Sequence, residues 1–132
     1  MASIFSRIIA GEIACHKIAE NDDFIAFLDA SPLIEGHVLV VPKQEIDYIF
    51  DLPEAQLSNI LNFAKPIAKA IEKVIPCKRV GLTVIGLEVP HAHLHLLPIH
   101  TIKDMDFGKT RPNFTTKDFE TTAAAIRSFL LF

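Results

Sequence analysis

Three histidines at every second position, His91, His93 and His95, alternate with Ala92, Leu94 and Leu96 and are followed by Leu97 and Pro98. Side chains on an extended strand point alternately to its two faces. The run therefore places three imidazoles on one side and three apolar groups, able to pack on a core, on the other. A lone histidine is usually a satisfied structural residue, but three on one strand face are poorly explained by burial alone.

The rest of the chain supplies the elements around this strand. Residues 3–10 read as a short helix with Ile4, Phe5, Ile8 and Ile9 on one apolar side, stopped by Gly11. Residues 15–20 and 24–29 read as strands around the turn Asn21-Asp22-Asp23. A loop follows over 29–36, shaped by Pro32 and Gly36, and residues 37–42 form a strand closed by Pro42. Leu57, Ile60, Leu61, Ala64, Ala68, Ile71 and Ile75 recur at helical spacing and predict one long helix over 53–75. Pro66 inside it is expected to kink or interrupt it. Residues 78–85 and 92–97 complete the strands, 100–114 are irregular, and a last helix is expected from about 116 to 131, its stripe Phe119, Ala123, Ile126 and Leu130. Short connections favour antiparallel pairing. The expectation is an α+β domain over 1–132: one antiparallel sheet of about five strands, one long helix and a C-terminal helix, with 101–132 as an extension.

Composition narrows the function classes. Half of the 132 residues are hydrophobic, enough for a core, and the formal net charge is −3 with no long run of either sign. Non-specific nucleic-acid binding needs a basic stripe to displace counterions, and none is visible. Cys15 and Cys77 are widely spaced and form neither a CxxC pair nor a disulfide framework, which suits a reducing compartment. The N-terminal residues lack the pattern of a signal peptide, and no apolar stretch is long enough to span a membrane. A cytoplasmic location and no membrane partner are the expectations.

Two chemistries suit the histidine face. Neutral imidazoles bind zinc. Alternatively, one imidazole attacks phosphorus, splitting one hard displacement into two easier ones, while its neighbours position it or the phosphate. Residues 91–97 match the motif His-φ-His-φ-His-φ-φ, with φ apolar, and here the sequence resembles the histidine triad family. The lead-in Gly86-Leu87-Glu88-Val89-Pro90 is similar to the Gly-Gln-Glu-Val-Pro of many bacterial members. The segments 4–13, 26–32 and 36–43 resemble the family's N-terminal helix and central block.

The resemblance implies roles. His93 would be the nucleophile, His95 would contact the phosphate and His91 would support their geometry. Asp29 would bind the ribose hydroxyls, since a carboxylate accepts from both groups of a cis-diol. Ile4, Phe5, Ile8 and Ile13 would wall the purine, with Ala30 and Ser31 beside the base or sugar. Read without the resemblance, the four apolar residues are equally core, Asp29 a local cap and Glu88 either a leaving-group contact or a solvated turn residue. His37 reads as a strand start, and His16 and His100 as ordinary surface or edge histidines. None of these three receives a catalytic role.

The chain also departs from the pattern. Many members hold a structural zinc through an N-terminal Cys-x-x-Cys, a histidine after Pro-Lys and the first triad histidine. Ser3, Ser6 and Glu45 occupy three of those positions here, so no structural zinc and no cofactor are expected. The loop before the triad is short, lacks the usual asparagine, and carries Leu87 in place of a common glutamine.

The expected activity is hydrolysis at the α-phosphate of purine nucleoside monophosphate conjugates, phosphoramidates above all, through a nucleotidyl-histidine intermediate. Dinucleoside polyphosphate hydrolysis is the alternative within enzymes, and a nucleotide-binding regulator with little catalysis is a second class. A transition-metal protein using the three histidines is a third. The resemblance further implies a homodimer whose sheet extends across a two-fold axis, and the apolar end 128–132 is compatible with one.

Overall fold

The computed structural model describes residues 1–130. Five strands, β1 Lys17–Glu20, β2 Phe24–Leu28, β3 Val38–Pro42, β4 Arg79–Thr83 and β5 Leu94–Ile99, form one antiparallel sheet in the order β1-β2-β3-β5-β4. Three α-helices accompany it: α1 Ile4–Ile9, α2 Glu54–Val74 and α3 Thr116–Arg127.

The period of two sorts the sheet's side chains. Phe24, Ala26 and Leu28 of β2, Val38 and Val40 of β3, and Leu94 and Leu96 of β5 join one core with α2 and α3. The intervening Ile25, Phe27, Leu39 and Val41 join Phe5 of α1 in a smaller cluster. His93 and His95 alternate with Ala92, Leu94 and Leu96, so the imidazoles are left on the side of α1. Each large apolar side chain fully buried this way contributes about 1.5–3 kcal/mol.

Several elements differ from the sequence expectation. The long helix is not interrupted at Pro66; α2 runs through it as one element. Proline leaves the carbonyl four residues earlier without its partner. That residue, Asn62, is exposed to water, where the lost bond costs least. The buried stripe of α2 is Ile60, Phe63, Ala64, Ile67, Ala70 and Ile71, whereas Leu61 faces solvent. The triad strand begins at Leu94 rather than Ala92. Its partner β3 ends in Pro42, which has no N–H to carry the ladder on. Ala92 N–H bonds the Ile46 carbonyl instead. The last helix ends at Arg127, and Leu131 and Phe132 lie outside the described residues.

Gly36 lets β3 follow its loop closely. Its φ is +88°, and a Cβ there would lie 2.9 Å from Ile75 Cγ1.

Candidate active site

Hydrogen bonds with only one consistent polarity set the tautomers of the triad. His91 is fully buried. Its Nε2 lies 2.8 Å from the Pro42 carbonyl, which can only accept, so Nε2–H donates. Its Nδ1 then accepts from Ser3 Oγ at 2.7 Å. His93 Nδ1 lies 2.7 Å from the His91 carbonyl and must likewise donate. The lone pair of neutral His93 is therefore on Nε2.

A second chain of bonds reaches His95 through a residue given no role above. The backbone N–H of Leu33 donates to His37 Nδ1 at 3.1 Å. Neutral His37 must then carry its hydrogen on Nε2, which lies 2.9 Å from His95 Nδ1 and donates to it. His95 keeps its own hydrogen on Nε2. His37 stands immediately before β3, as its reading as a strand start expected, and in addition it orients His95.

Burial explains the charge state. Desolvation pushes His37 down to about 3 and His95 down to about 4, and neighbouring imidazoles and Arg111 add to both shifts. His93 is also lowered by desolvation, opposed by its bond to the His91 carbonyl and by Asp29. All three are neutral near pH 7. Asp29 is raised by desolvation, against the Ser31 backbone bond and Arg111.

The rings of His93 and His95 sit 4.8 Å apart beside a cavity of about 560 Å³. That is the size of a small-molecule site. Its lining includes Ile4, Phe5, Ile8, Ile13, Asp29, Ala30, Ser31 and Glu88. Phe5 packs edge-on against His93 at 4.9 Å. The sequence-derived residues thus meet around one cavity, with one exception: His91 lies behind His93 and does not line it. Asp29 makes the local turn bond that one reading of its position expected, and it also lines the cavity. Oδ1 accepts from Ser31 N–H in a local turn, while Oδ2 approaches His37 Nε2 at 3.6 Å. His16, read as an ordinary histidine, also lines the cavity and stacks on Phe119 at 5.1 Å. His100 stays exposed, away from the cavity, and is bonded to the Pro76 carbonyl.

Phe107, Arg111 and Phe119 line the cavity as well; the sequence reading places Phe119 only in the apolar stripe of the last helix and does not single out the other two. They stand in the irregular stretch and the last helix, where neither spacing nor motif pointed to a site. Phe107 packs edge-on against His95 at 4.8 Å.

Two clusters bear on metals. Ligand atoms of Asp29, His37 and His95 lie within 4.8 Å of one another. A metal on His37 Nε2 would force the ring hydrogen to Nδ1, against the Leu33 N–H, so this set does not suit a cation. The four positions related to the family's zinc site do converge, but as a hydrogen-bonded group. Ser3 N–H and Ser6 Oγ–H each donate to Glu45 Oε1 at 2.6 Å, and Ser3 Oγ–H donates to His91. Those bonds to Ser3 and Ser6 hold Glu45 down to about 2. With one imidazole and no thiolate, the donor set does not fit zinc.

An antiparallel sheet presenting period-two histidines to a cavity of nucleotide size defines a histidine triad protein. The chain belongs to the HIT domain family, whose model matches residues 10–102. It is 32% identical over 117 residues to an uncharacterised HIT-like protein of Borreliella burgdorferi, covering 83% of each chain. It is 35% identical over 100 residues to the adenosine 5'-monophosphoramidase of Schizosaccharomyces pombe, covering 74% of each. Among solved structures, a Hit-like protein from Bartonella henselae superposes with a TM-score of 0.83 at 28% identity, covering 97% of this chain and 96% of that one.

Proposed function

We propose that this protein is a nucleotide-processing hydrolase that cleaves purine nucleoside 5'-phosphoramidates through a nucleotidyl-histidine intermediate on His93. The observation that carries the reading is the His93 tautomer: its Nδ1–H is tied to the His91 carbonyl, which leaves the Nε2 lone pair as nucleophile beside the cavity.

The chemistry follows from the donors available. His93 Nε2 bonds to the α-phosphorus as the phosphorus–nitrogen bond to the leaving amine breaks; the amine departs with a proton taken from solvent, which the attacking water of the second step gives back. Water then attacks phosphorus, the bond to Nε2 breaks, and the nucleoside monophosphate leaves. The Nε2–H of His95 donates to a non-bridging phosphate oxygen. His91 acts through its carbonyl on His93. Asp29 accepts from the ribose hydroxyls, with Ala30 and Ser31 beside the sugar, and Ile4, Phe5, Ile8 and Ile13 form the apolar wall for the purine. Glu88 stands on the leaving-group side. No metal or cofactor takes part in this scheme. The S. pombe relative named as an adenosine 5'-monophosphoramidase supports the substrate class.

Dinucleoside polyphosphates share the same first step and are the second substrate to assay. The assembly is read as a homodimer joined along β4, an outer strand followed by exposed Val84 and Ile85. Equilibrium sedimentation reading one chain mass would remove that part of the proposal.

The deciding experiment is His93→Ala. Turnover of adenosine 5'-phosphoramidate should fall by at least ~10³-fold, with AMP binding retained. Brief mixing of the unsubstituted protein with substrate, followed by mass spectrometry, should trap an adduct on His93. Normal turnover by the variant excludes the mechanism. Tight AMP binding with neither adduct nor turnover would instead favour a nucleotide-binding regulator.

A further inference from the structure

The charge balance of the cavity is unusual for a phosphate site. Asp29 and Glu88 contribute two carboxylates to its lining, and His93 and His95 enter as neutral rings. An anionic ligand needs a compensating charge or several amide donors. The loop before the triad adds no cation: Leu87, which lines the cavity there, has an apolar side chain and is 89% exposed, and Glu88 is acidic.

Arg111 is the only arginine or lysine among the described residues of the lining. It comes from the stretch beyond the matched family segment. Its Nη1 donates to the Ser31 carbonyl at 2.6 Å, which anchors the guanidinium at the sugar side of the cavity next to Asp29. Among the described residues no carboxylate lies within ion-pairing distance of it, so its charge is not already neutralised by direct contact. It lines the same cavity as His95, the imidazole assigned to the phosphate, and its charge acts on the titration of Asp29, His37 and His95. A guanidinium keeps its charge at every working pH and offers paired N–H groups that match phosphate oxygens.

From these observations, and resting on the nucleotide reading above, we infer that Arg111 is the cavity's phosphate-binding cation. In this chain the positive charge for the phosphoryl group arrives from the C-terminal stretch. Arg111 thereby selects nucleotides over nucleosides.

Competition binding of AMP and adenosine to the full chain tests this, using Arg111→Gln and Arg111→Lys. Glutamine keeps an N–H for the Ser31 carbonyl without the charge. Arg111→Gln should weaken AMP on the order of tenfold to a hundredfold and leave adenosine within about twofold, collapsing the preference. Arg111→Lys should restore part of it, and added salt should weaken AMP in the unsubstituted protein more than in Arg111→Gln. Equal losses for both ligands would show that Arg111 only braces the Ser31 loop, and no loss for AMP would show that it does not meet the phosphate. Either outcome overturns the inference while leaving the His93 reading intact. Failure of the unsubstituted protein to bind AMP at all would overturn both. A thermal melt of each variant confirms folding, and should Arg111→Gln fail it, the same comparison is made with Arg111→Met.

Discussion

His37 contributes to the site without lining its main cavity. It has 0% exposure, accepts from one backbone amide and donates to one imidazole. Replacing it with phenylalanine keeps an aromatic ring but leaves the Leu33 N–H buried and unpaired, which should cost about 1–3 kcal/mol by denaturant titration. It also frees the tautomer of His95, so kcat should fall more than tenfold while KM changes little. Unchanged kcat would mean that His95 needs no external orientation. That His91, His93 and His95 belong together was legible from their period of two, whereas their separate roles were implied only by the family resemblance. His37 was hidden because its partner is 58 positions away and its immediate surroundings read equally well as the start of a strand. Arg111 was less legible still. An isolated arginine in an irregular stretch carries no signal until the chain has folded back onto Ser31, 80 residues earlier.

The elements were better encoded than their ends. Apolar runs and helical spacing gave each strand and α-helix its approximate position, because a buried face demands apolar groups in a regular pattern, whereas the short 3-10 helices Ile49–Asp51 and Ile102–Met105 were not anticipated. Boundaries depended on backbone bonding that no repeat reports. Pro42 shortened β5 by withholding an N–H, while Pro66 was absorbed within α2. The third helix shows how an element end can reach the chemistry. Thr115 Oγ1 accepts from Asp118 N–H at 3.1 Å, and the Asp118 carboxylate accepts from Thr115 N–H at 2.9 Å. This capping box begins the helix that carries Phe119 into the cavity. Thr115→Ala should therefore cost about 1 kcal/mol in stability and raise KM with kcat nearly unchanged, as measured by chemical denaturation and initial rates. An unaltered KM would detach α3 from ligand binding. Gly36→Ala combines an unfavourable φ with a close approach to Ile75, and a lowered thermal midpoint should report the strain.

For the whole molecule, the lowered histidines set a direction for acid stability. The unfolded chain takes up protons on His37 and His95 near the ordinary value of about 6.5, whereas the folded chain does so only near 3 and 4. Between those limits the unfolded state holds more protons, so acidification favours it. Stability is full above about pH 6.5 and should fall by up to roughly 1.4 kcal/mol per pH unit per histidine below it. Urea midpoints taken from pH 7.5 to 4 should show this slope, with a smaller one in His37→Phe. A flat profile would contradict the neutral, buried assignment. The matched family segment, 10–102, holds the imidazoles and their tautomer relays, yet Ile4, Phe5 and Ile8 precede it and Phe107, Arg111 and Phe119 follow it. The cavity is thus assembled from three lengths of polypeptide: the family segment supplies the imidazoles and Asp29, and both flanks add apolar wall and the arginine. Chimaeras grafting 103–130 onto another family member would show how far Phe107, Arg111 and Phe119 carry selectivity with them.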